Sequence, residues 1–139
     1  MKKRFIPLGL LITISMSAWA DRTTVIDLLK QTSNWGLVQP GTMCVEQYHF
    51  MPSGEVFIES NQERVTGTYS FLSKDNGFEL PAVVISLVTD NQQPDCVGSR
   101  VNQSGTSTTN FLKKESDKKI YFCLDALGKN CPVYLRPNN

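Results

Sequence analysis

The chain beyond residue 31 predicts an all-β fold. The expected form is an antiparallel meander of about eight strands closed into a small barrel, behind one short N-terminal helix. Three observations point there. Short stretches of alternating apolar and polar residues recur from Trp35 to Arg136. Turn-forming clusters separate them, at Met51–Gly54, Lys74–Gly77, Asp90–Asp95, Ser116–Lys118 and Asp125–Asn130. No helical periodicity follows residue 31. A two-sheet sandwich would satisfy the same pattern and is the competing architecture.

The helix is expected over residues 25–31. Thr24 and Asp27 form an acidic capping box, and Val25, Leu28 and Leu29 recur at helical spacing to give one apolar stripe. Strand candidates begin at Trp35. Val56 and Ile58 share one face of the segment Glu55–Glu59, and Val65, Gly67, Tyr69 and Phe71 share one face of the next. A long apolar run, Phe78–Thr89, follows, with Pro81 near its start. Thr106–Lys113, Lys119–Leu124 and Val133–Arg136 complete the set. The run Ala82–Val88 lacks the alternation of a strand with one wet face. Its outer side should therefore be covered by the helix, or the helix should close one barrel end and leave that side to a partner.

Residues 1–20 are set apart from the fold. Lys2, Lys3 and Arg4 precede a mostly apolar stretch, Phe5–Ser15, and Ala18-Trp19-Ala20 supplies a small-x-small cleavage pattern. That is the layout of a secretory signal, and its apolar part is short of the roughly 20 residues a membrane span requires. A single domain over residues 21–139, exported to the periplasm or beyond, is the expectation. Cleavage would leave 119 residues with 11 basic and 13 acidic side chains, a net charge of −2. The one basic cluster, Lys113, Lys114, Lys118 and Lys119, is interrupted by Glu115 and Asp117, which suits a solvated turn better than a nucleic-acid surface.

Four cysteines, Cys44, Cys96, Cys123 and Cys131, remain in the exported part. An even count in an oxidising compartment suggests two disulfides, for which three connectivities exist. Cys123 and Cys131 flank a turn-rich segment between two strand candidates, so a hairpin would join them and leave Cys44 for Cys96. Zinc fits poorly, because there is no C-x-x-C pair and only one histidine, His49.

No catalytic or cofactor motif emerges. There is no G-x-S-x-G elbow, H-E-x-x-H pair or phosphate loop. Cys44 and His49 lie near each other in sequence, but on a strand they point to opposite faces. An enzyme is therefore not expected, nor a cofactor or metal. Glu46 is the notable acidic residue, since it shares a strand face with Tyr48 and Phe50. If those aromatics point inward, a carboxylate points inward with them, where it could orient the polar group of a ligand. Glu46, Tyr48, Phe50 and Tyr69 are the candidate ligand-binding residues.

A short helix, then Asn34-Trp35-Gly36 opening the first strand, then a meander ending near Arg136, resembles the lipocalin and calycin group of β-barrels. The resemblance implies a closed barrel with Trp35 at its closed end and Arg136 packed across the indole. It departs from the pattern at Ser33, where a glycine is expected. It further implies an exported protein that binds a small apolar or amphipathic ligand in the barrel. The alternative is an inhibitor or immunity-type protein that grips a partner protein with loops such as Asp90–Asp95 or Val101–Thr106.

Overall fold

The computed structural model describes residues 24–73 and 79–138. The segment 1–20 expected to be a signal, the expected Lys74–Gly77 turn and Phe78 lie outside the described residues. The order is α1 (Val25–Gln31), β1 (Asn34–Val38), β2 (Val45–Phe50), β3 (Glu55–Ser60), β4 (Glu63–Leu72), β5 (Ala82–Asp90), β6 (Ser107–Ser116), β7 (Lys119–Cys123) and β8 (Val133–Pro137). Each strand pairs antiparallel with the next, and β1 pairs with β8, so the sheet closes on itself. Closure leaves no exposed edge. It rules out the sandwich.

The helix has the expected bounds. The Thr24 hydroxyl accepts the Asp27 N–H, and the Asp27 carboxylate accepts the Thr24 N–H, at 3.2 Å each. Val25 and Leu29, one turn apart, bury their side chains in the same core as Trp35, Phe50, Leu112 and Ile120. Just past the helix, the Thr32 carbonyl accepts the indole N–H of Trp35 at 2.6 Å, and the Ser33 carbonyl accepts the Phe50 N–H at 2.8 Å. These bonds hold α1 as a plug in one end of the barrel, beside the start of β1 and the end of β2. It does not lie along the outer face of β5. Val88 there is 62% exposed. At Val88 the register steps from Thr66↔Thr89 to Gly67↔Leu87, so this residue has no partner on β4.

Alternation along the strands sorts the side chains. Trp35 and Leu37 of β1, Val56 and Ile58 of β3, Val83 and Ile85 of β5 and Leu135 of β8 are buried. The same alternation corrects the expected Trp35–Arg136 contact. Arg136 pairs with Gly36, while Trp35 pairs with Pro137, so Arg136 projects from the outer face and is exposed. Trp35 is 1% exposed and satisfies its N–H on Thr32 without it. Another correction concerns the long apolar run. The strand starts at Ala82, because Pro81 has no N–H to give a ladder; its carbonyl accepts the Leu112 N–H at 2.8 Å. β6 in turn runs on to Ser116, past the expected end at Lys113.

Both disulfides follow the expected pairing, Cys44–Cys96 and Cys123–Cys131. The first ties the β1–β2 loop to the long β5–β6 connection, and the second spans the β7–β8 loop. All of these loops lie at the end opposite α1.

Two substitutions test this packing. Leu29 is fully buried, so Leu29→Ala should lower the unfolding free energy by about 2–5 kcal/mol in urea titration. A loss under about 1 kcal/mol would mean that α1 is not seated in the core. At Gly67 an added Cβ would overlap the Ser86 carbonyl oxygen at the β4–β5 irregularity. Gly67→Ala should therefore cost about 1–3 kcal/mol, the usual scale of overpacking. An unchanged urea midpoint would contradict the close approach.

Candidate functional site

At the end away from α1 the barrel is not filled. A cavity of about 200 Å³ opens between the inward residues of all eight strands, with Gln103 and Thr106 of the β5–β6 connection over it. Its walls are apolar where Leu37, Ile58, Val65 and Phe122 face inward. Its polar side carries Glu46 and Tyr48 from β2 and Glu63 from β4. The register explains the grouping. Leu37 lies opposite Glu46, while Tyr48 lies opposite Ile58 and Ile58 opposite Val65, so two successive inward tiers of side chains meet at β2 and span four neighbouring strands.

The carboxylates are partly satisfied. Gln103 donates its amide N–H to Glu63 at 2.8 Å. Gln39 donates to Glu46 at 3.4 Å, and the buried Ser60 hydroxyl also bonds it. Tyr48 borders the cavity beside these carboxylates. Among the described residues no lysine, arginine or histidine lines the cavity. Burial pushes the Glu46 and Glu63 carboxyls above their ordinary range. The shift at Glu63 is reinforced by the negative charges of Asp90, Asp95 and Glu46. The Tyr48 phenol is raised well above its ordinary value, by burial first and then by the two glutamates.

The connection over the cavity has no strand of its own, yet its backbone is held. Asp90 accepts the Gln103 N–H at 2.9 Å, and Asp95 accepts those of Val97 and Ser99 at 3.0 and 2.8 Å. The Leu87 carbonyl accepts the Gly105 N–H at 2.8 Å. Together with Cys44–Cys96 these bonds fix where Gln103 enters.

Of the four candidate ligand residues, Glu46 and Tyr48 line the cavity. Phe50 and Tyr69 do not. Both face inward, but nearer α1, where their rings meet edge to face at 5.1 Å and the Tyr69 hydroxyl donates to the Met51 carbonyl at 2.6 Å. Tyr48 stands between that packed end and the cavity. Glu63 was readable in principle, since it continues the inward series Val65, Gly67, Tyr69 and Phe71 by one more step. Gln103 lies in an irregular segment that carries no periodic signal. Cys44 is in a disulfide, and His49 faces outward, its ring nitrogen 2.6 Å from the Asn34 side-chain oxygen.

A larger but open groove of about 820 Å³ runs over the outer faces of β1 to β5, past His49, Phe57, Glu55 and Val88. It lacks enclosure, and the internal cavity is the better-formed site. Among the described residues no group of His, Cys, Asp or Glu side chains is arranged to hold a metal ion, and no helix is long and apolar enough to cross a membrane. Comparison of the chain with protein-family models, curated proteins and solved structures returns no match.

The buried carboxyls predict an unusual pH profile. Their folded pKa values lie above the ordinary 4.5, so between that value and the raised ones the native state binds more protons than the unfolded chain. Stability from these groups is complete below 4.5 and is lost as pH rises through the folded values. Two exposed aspartates act in the opposite sense, both lowered from 3.8: Asp27 by its Thr24 hydrogen bonds, Asp125 by the Lys129 and Asn130 amides. Their contribution is lost as pH falls below 3.8. Melting temperature should therefore peak in mild acid and decline toward neutrality. The variant carrying both Glu46→Gln and Glu63→Gln should decline less. A wild-type melting temperature that climbs steadily from pH 4.5 to neutrality would contradict the buried placement.

Proposed function

We propose that this chain is an exported binding protein that holds a small amphipathic ligand in the barrel cavity. The observation that carries the reading is the enclosed space itself. It is apolar on one side, and on the other it presents two inward carboxylates and a tyrosine. Such convergence of a few polar groups in an apolar enclosure is the usual form of a small-molecule site. A cavity of about 150 Å³ lined by apolar side chains admits benzene, so about 200 Å³ admits a ring with a short arm. The closed eight-stranded meander, with α1 and Trp35 at one end, supports a lipocalin-like architecture for this task. The two disulfides are compatible with export by the signal at residues 1–20 and a periplasmic destination.

One observation favours a second reading, in which the loops bind a partner protein as an inhibitor does. Met43 is fully exposed, and Val97, Val101, Leu124 and Leu127 are each more than half exposed, all on loops at the cavity end. Exposed apolar groups gathered at one end suit a protein contact.

Native mass spectrometry on protein recovered from its own host separates the two. The expected spectrum shows a chain beginning at Asp21 that carries an additional small mass. Thr108 is exposed on the inner wall of the mouth, so Thr108→Trp should obstruct the cavity without disturbing the core and remove that mass. A bare chain in stoichiometric complex with another protein would overturn the ligand reading in favour of the second.

A further inference from the structure

We infer that the ligand of this cavity is a cation, a primary ammonium carried on a small apolar body. The inference rests on the ligand-binding reading above and goes on to name the chemical class. Buried carboxylates in folded proteins are paired, because an unpaired one loses its hydration without replacement. Here Glu46, Glu63 and Tyr48 line one cavity, where the Glu46 charge acts on Glu63 and both carboxylates act on Tyr48. Among the described residues no protein cation lines that cavity. The neutral donors Gln39, Ser60 and Gln103 use only part of what two carboxylates can accept, since each offers about four lone-pair sites.

An ammonium supplies what is missing. It brings a positive charge and three N–H donors, which match Glu46, Glu63 and the Tyr48 oxygen, all lining the cavity. Charge-assisted bonds of this kind are roughly twice as strong as neutral ones. The Tyr48 and Phe122 rings, edge to face at 6.3 Å, add faces on which a cation is favoured. Leu37, Ile58 and Val65 would enclose the apolar body. An anion would meet Glu46 and Glu63 inside, with Asp90 and Asp95 at the rim, and is excluded by like charge.

Calorimetric titration of the purified chain with three probes of similar size tests this: 2-phenylethylamine, 2-phenylethanol and phenylacetate. The amine should bind at least about tenfold more tightly than the alcohol, the scale of one hydrogen bond to a charged group, and phenylacetate should not bind. Glu46→Gln and Glu63→Gln should each weaken the amine about tenfold and leave the alcohol unchanged, which a merely structural role would not do. Should either variant fail to fold, the wild type still decides the matter. The amine stays protonated throughout acid titration, so its affinity should fall as Glu46 and Glu63, which face the carboxylates of Asp90 and Asp95, take up protons, while alcohol binding stays level. Equal affinity for amine and alcohol in the wild type, or amine binding indifferent to acid, would overturn the cationic assignment and leave the cavity as a binding site. Failure of all three probes would overturn that assignment and count against the ligand-binding reading as well.

Discussion

The pairing of β1 with β8 is the constraint on which the rest of the molecule depends. Four residue pairs, from Trp35↔Pro137 to Val38↔Tyr134, turn an open meander into a closed wall. Once the wall is closed, every second residue of every strand is committed to an interior cut off from bulk water. An apolar side chain placed there is stabilised, and a polar one must find a partner. Both the packing of the molecule and its chemistry follow from that division.

The two ends of the barrel resolve the demand differently. At one end the interior is full. Trp35, Phe50, Val56 and Leu112 occupy it, and α1 adds Val25 and Leu29 as a plug whose exit is pinned by the Trp35 indole and the Phe50 amide. The cohesion of the fold resides there, in contacts that join the first elements to the sixth strand. At the other end the interior turns polar, and a held connection replaces a packed lid. Cys44–Cys96 and Cys123–Cys131 are both placed at that end, where the core contributes least. A cross-link that restricts the unfolded chain costs the cavity no space. The arrangement separates the part that stabilises the protein from the part free to recognise something.

Much of this division was legible in the sequence, because it rests on period-two alternation and on local capping. The Thr24–Asp27 box fixed the helix start, and the inward sharing of Glu46 with Tyr48 and Phe50 followed from their spacing alone. What alternation does not encode is depth along the barrel. It groups Glu46, Tyr48, Phe50 and Tyr69 as inward residues, but only the register between strands shows that Glu46 and Tyr48 border a cavity while Phe50 and Tyr69 belong to the plug. The Arg136 contact failed for a related reason. A single residue of offset between β1 and β8 decides whether that side chain meets Trp35 or water. Gln103 was invisible because its position depends on hydrogen bonds made by Asp90, Asp95 and Leu87 within an irregular segment. The unalternating run in β5 pointed to a helix either over its outer face or closing one barrel end; the structure has the second, with an irregular register and an exposed Val88 on β5.

The central claim is that barrel closure holds two carboxyls, Glu46 and Glu63, inside a cavity with no cation of the protein's own among the described residues. Titration of the side-chain carboxyl carbons by ¹³C NMR reads those two groups one at a time in the folded protein. The account predicts that both resonances move at a pH above the ordinary glutamate value of 4.5. Ordinary titration of Glu46 and Glu63, at or below 4.5, would contradict it, for it would mean that water or a protein cation reaches the interior at that end.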